Sequence, residues 1–124
     1  MHNSILLYIG ACLPIVWGIA HIFPTRNIVR GFGEITKDNR HIITMEWINE
    51  GASLIFVGIL IALVTYVEQK SPISLAVYWT SFVFLNVLSL ISLFTGFKVS
   101  FLPFKLCPFI FTGSSLLIVL GIYS

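Results

Sequence analysis

Charged side chains are scarce in this chain. Asp, Glu, Lys and Arg make up 10% of 124 residues, where a soluble domain carries about 25%, so a water-facing globular surface is excluded. The net charge is only +2 and is scattered. No basic helix with interleaved aromatics occurs, which argues against nucleic acid as a partner. Cysteine is nearly absent too. Cys12 and Cys107 both fall in apolar runs, a placement that disfavours a disulfide or a thiolate metal pair and predicts two small buried residues. Glu-x-x-His does not occur, so one chain cannot assemble the ligand set of the carboxylate diiron bundles. His2 and His41 lie outside the apolar runs, which leaves His21 alone inside one, too few for bis-histidine haem. Motifs for Ser-His-Asp or Cys-His catalysis are missing as well. No metal site is expected, and the residues do not identify a cofactor.

What the chain has instead is apolar length. Hydrophobic residues make up 57% of it, and four runs come close to or exceed the ~20 residues needed to cross a bilayer. They cover about residues 5–23, 43–67, 73–97 and 107–123. These runs predict an all-α integral membrane protein with four transmembrane helices in an up-down bundle. The bundle is expected to form one domain over residues 1–124, with the lipid bilayer as its surrounding partner. Pro14, inside the first run, removes the bond to the Gly10 carbonyl and is expected to kink that helix. Thr112-Gly113-Ser114-Ser115 is a small-residue cluster suited to close approach of helix backbones. Asn86, near the middle of the third run, is expected to hydrogen-bond across helices or subunits.

Residues 25–40 form the longest polar stretch. Arg26, Arg30, Glu34, Lys37, Asp38 and Arg40 alternate there with Ile28, Val29, Phe32 and Ile35. That mixture predicts a short amphipathic interfacial segment between helices 1 and 2. Gly31-Phe32-Gly33 should break it in two, and Asp38 is expected to cap the helix that follows. Orientation follows from the cations. Four Lys/Arg lie in the first loop (Arg26, Arg30, Lys37, Arg40) and two in the third (Lys98, Lys105), against Lys70 alone in the second. The positive-inside rule puts loops 1–2 and 3–4 in the cytoplasm and both termini on the opposite side, as in a plasma or inner membrane.

The stretch that carries chemistry is residues 40–51, a polar loop running directly into the second apolar run. On a helix Glu46, Asn49 and Glu50 share one face. Ionisable groups at this depth usually face protein or trapped water. Glu46 and Glu50 are therefore candidate catalytic acids or bases, with His21 brought to the same level at the end of the first run. Arg40 and Arg30 are candidate holders of an anionic head group. Asn49, Asn86, Trp47 and Trp17 complete the candidate binding set, although tryptophans at this level also serve as interfacial anchors. Pairing of the two carboxylates with Arg40, Arg30 or Lys105 would instead make this a charged collar on the helix end.

Three functions compete. The first is a cytoplasmic-side acid/His/Arg pocket that binds or transforms an apolar or lipid-like small molecule, built at a subunit interface of a homo-oligomer. The second is a proton-coupled or ion-conducting homo-oligomer, which an intramembrane carboxylate suits. No acid lies beyond Glu50 in the spans to continue such a path. The third is an accessory or structural subunit of a larger membrane complex.

Overall fold

The computed structural model describes residues 2–124. Its helices are α1 (Ser4–Ile22), α2 (Thr25–Arg30), α3 (Lys37–Glu68), α4 (Pro72–Thr95) and α5 (Leu102–Tyr123), with a 3-10 turn at Gly96–Lys98 after α4. No strand occurs among the described residues. α1, α3, α4 with its 3-10 turn, and α5 are each long and apolar enough to span a membrane. The protein is an integral membrane four-helix bundle.

Polar side chains set the helix starts. Asn3 Oδ1 accepts from the backbone N–H groups of Ile5 and Leu6, capping α1. Ser71 caps α4 by accepting from Ser74 N, and Pro72 follows in the first turn, where its missing N–H costs nothing. α3 is capped by Thr36, whose Oγ1 accepts from Asn39 N at 3.1 Å. Asp38, expected as that cap, lies instead in the first turn, where a carboxylate suits the positive end of the helix dipole. α3 thus begins six residues before the apolar run and takes in Lys37–Arg40, the last four of the sixteen residues expected in the interfacial segment. α2 is the helical part of the remainder, with Val29 buried and Arg26 and Arg30 exposed. Gly33, at φ 72°, supplies the left-handed turn between α2 and α3. α5 starts at Leu102 rather than near Cys107, so Pro108 falls inside it.

In lipid, helices gain little from hydrophobicity towards one another, so contact depends on close backbone approach and hydrogen bonds. Ala11 and Gly18 on α1 and Gly51 and Gly58 on α3 are each seven residues apart and meet in antiparallel order. A methyl group on Gly18 would lie 2.6 Å from the Gly51 carbonyl oxygen, and one on Gly58 would overlap that of Ala11. Gly113, in the cluster expected to do this, has no neighbour within 4 Å of such a methyl. Ser114 carries the α1–α5 contact instead. Its Oγ donates to the Gly10 carbonyl at 2.6 Å, the acceptor that Pro14 leaves without its helical partner. α1 runs unbroken through Pro14.

Around the bundle, α1 packs closely against α3 and α5, and α5 against α4, while α3 and α4 touch least. Those two are pinned at their connecting turn. There Tyr78 Oη bonds Thr65 Oγ1 at 2.9 Å, and Ser74 Oγ donates to the Glu68 carbonyl at 2.5 Å. Between the two helices runs a lengthwise groove, lined from Asn49 to Leu60 on α3 and from Ile73 to Phe84 on α4. Asn86 does not bridge helices: its Nδ2 donates to Phe82 O of its own helix at 2.8 Å. Cys12 is exposed rather than buried.

Candidate functional site

The register of α1 against α3 fixes the depth of the acidic stretch. With Gly18 facing Gly51 in an antiparallel pair, Ile22 at the end of α1 lies level with Trp47. α3 therefore projects about ten residues, or about 15 Å, past the end of α1. Glu50 sits level with the last turn of α1, and Glu46 one turn further out.

His21 faces Glu50 from that last turn. Its Nε2 is 3.4 Å from Glu50 Oε2, and its side chain is 9% exposed against 44% for Glu50. That separation exceeds an ordinary N–H···O bond, and Nε2 has no hydrogen-bond partner. Trp47 holds the imidazole in place. The two rings stack at 3.9 Å between centroids and 13° between planes, and Trp47 Nε1 donates to the His21 carbonyl at 2.6 Å. That carbonyl lies in the last turn of α1, where helix carbonyls lack helical donors. Phe104 of α5 closes the far side of Trp47 in an edge contact at 5.6 Å. Trp17 lies on the same side of α1 as His21 but turns to α5, where its Nε1 donates to Cys107 Sγ at 3.4 Å.

Glu46, Asn49 and Glu50 are exposed, and they border an open cleft. With Trp47 on α3 and Phe84 and Leu88 on α4, they line its volume of about 520 Å³. Asn49, Ser53 and Phe84 also border the larger groove between α3 and α4, about 990 Å³, whose walls are otherwise mostly Ala, Val, Leu, Ile and Phe. The two volumes therefore adjoin. The acidic residues form the polar end of an apolar slot, and both volumes fall in the range of small-molecule sites.

The remaining candidates stand apart. Arg30 is exposed at the end of α2, and Arg40 is half-buried. Neither lines the cleft, and neither pairs with Glu46 or Glu50 among the described residues. Asn86 is half-buried in α4 and lines neither volume. Among the described residues no three His, Cys, Asp or Glu side chains converge as metal ligands would. Sequence reasoning missed Phe84 and Leu88, which face the acids across the groove and carry no mark among the chain's many apolar residues. It missed the Trp17–Cys107 pair too, whose members are 90 residues apart. The chain matches no known protein family, no curated protein and no solved structure.

Proposed function

We propose that the protein binds a lipid-like molecule that enters the α3–α4 groove sideways from the bilayer. The tail lies between Val57 and Phe56 of α3 and Val77 of α4, and the head group reaches Glu46, Asn49 and Glu50. The observation that carries this reading is that the apolar groove adjoins the acidic cleft, sharing Asn49, Ser53 and Phe84 as walls. Six of the seven Lys and Arg residues lie at that end of the bundle, which favours the cytoplasmic leaflet as the source.

A proton or ion path has less support. Beyond Ser53 the groove walls are mostly apolar, and the hydroxyls at the far end, Thr65 and Tyr78, are bonded to each other. An accessory role in a larger complex draws on no particular feature of the groove.

The test fills the slot. Ala52 and Ala76 are exposed and line it from opposite helices. Native mass spectrometry of protein purified in mild detergent is expected to find a retained amphiphile. Ala52→Trp and Ala76→Trp should each lose it while eluting as the wild type does. Full retention in both variants would refute the groove as the binding site.

A further inference from the structure

The acidic end of the groove has an unusual inventory. Two carboxylates, Glu46 and Glu50, and one carboxamide, Asn49, face it, and no Lys or Arg lines it. Positions four apart on a helix have neighbouring side chains, so one small cation can touch both carboxylates. Behind Glu50, the nine-tenths-buried His21 aims an unpartnered Nε2 at Oε2. Glu50 has two oxygens. Oε2 is directed at His21, and Oε1 remains for the groove. An anionic head would meet two negative charges here with no cation to offset them. A neutral head would leave both charges uncompensated.

We infer that the head group taken here is an ammonium ion, carried by an amphiphile of the surrounding leaflet. A primary ammonium has three donors, and Glu46, Glu50 and the Asn49 carbonyl oxygen are three acceptors on one helix face. His21 acts as a positioning residue. With its ring held by Trp47, it keeps Nε2 facing the Glu50 carboxylate from the protein side. This assignment rests on the binding reading of the groove and specifies which lipid-like molecules it accepts.

The experiment uses the full chain in nanodiscs of phosphatidylglycerol. Three photoactivatable long-chain alkyl probes are compared, identical except for a primary amine, a hydroxyl or a carboxylate head, and labelled peptides are mapped by mass spectrometry. The amine probe is expected to label the α3 and α4 groove peptides most. Glu46→Gln with Glu50→Gln should cut that labelling by about tenfold or more, as loss of hydrogen bonds to a charged group does, and lower hydroxyl labelling by a much smaller factor. His21→Phe, which retains a ring to stack on Trp47, should lower the amine-to-hydroxyl ratio. Equal labelling of the groove by all three probes, or strongest labelling by the carboxylate, overturns the ammonium assignment and leaves the groove reading standing. Labelling of the groove by none of them overturns both. Displacement of the amine probe by sodium or calcium ions alone at matched ionic strength would assign the acids to a simple cation and overturn it as well.

Discussion

Gly18→Ala tests how closely α1 and α3 approach, and its sign can be worked out in advance. The added methyl would lie 2.6 Å from the Gly51 carbonyl oxygen, 2.8 Å from Ile55 Cγ1 and 3.1 Å from Leu54 Cβ. The first partner is backbone and cannot rotate away. Restoring ordinary contact, which begins at 3.4 Å, needs α1 and α3 to part by about 0.8 Å at this crossing. A gap of that size forfeits roughly a quarter to a half of each neighbouring dispersion contact, and overpacking of this kind typically costs about 1–3 kcal/mol. Alanine recovers up to about 1 kcal/mol of helix propensity. Because the nearest partner is backbone, the upper part of that cost range, about 2–3 kcal/mol, applies, and the net expectation is destabilisation by about 1–2 kcal/mol. Gly113→Ala is the matched control, since nothing lies within 4 Å of its methyl. Only the propensity gain applies there, so it should stabilise by up to about 1 kcal/mol. SDS-induced unfolding in mixed micelles, followed by far-ultraviolet circular dichroism, reads both. Should Gly18→Ala equal or exceed the wild type in stability, the close α1–α3 crossing, and with it the depth assigned to Glu50, would be refuted.

Two further predictions concern polar pins. Ser114→Ala should cost about 1–3 kcal/mol by leaving the buried Gly10 carbonyl without a donor. In a Pro14→Ala background the same substitution should cost less, because residue 14 regains its N–H, and additive effects in this double-mutant cycle would contradict the assignment. Tyr78→Phe should cost only about 0.6 kcal/mol in the same unfolding assay, since Thr65 keeps its bond to the Ile61 carbonyl. A loss several times larger would mean that the phenol holds more than its bond to Thr65.

The spans were legible because bilayer thickness makes apolar length the dominant signal, and Glu46, Asn49 and Glu50 were legible as one face from spacing alone. The extra turns at the start of α3 were not, because Lys37–Arg40 are polar and helical only through the Thr36 cap and continuity with the apolar run. Arg30 and Arg40 look equally suited to meet the acids when only distance along the chain is known, yet α2 and its turn hold Arg30 away from them. The groove was the least readable part. It exists because the small residues at seven-residue spacing draw α3 onto α1 and leave the α4 side open. That spacing was in plain view, but which of several small-residue clusters makes the contact depends on helix rotation.

The short turn joining α3 and α4 sits at the opposite end of the bundle from the acids. With Tyr78 and Ser74 fastening that end, the two helices resemble the blades of scissors, with the rivet far from the tips. Asn49 lies sixteen residues from Thr65 along α3, about 24 Å, so a swing of about five degrees moves it by about 2 Å while the rivet stays put. Such a swing has to carry α1 with α3, which it grips at the Gly18–Gly51 crossing, or α5 with α4, so the width of the slot's mouth is set by contacts that never touch what enters it.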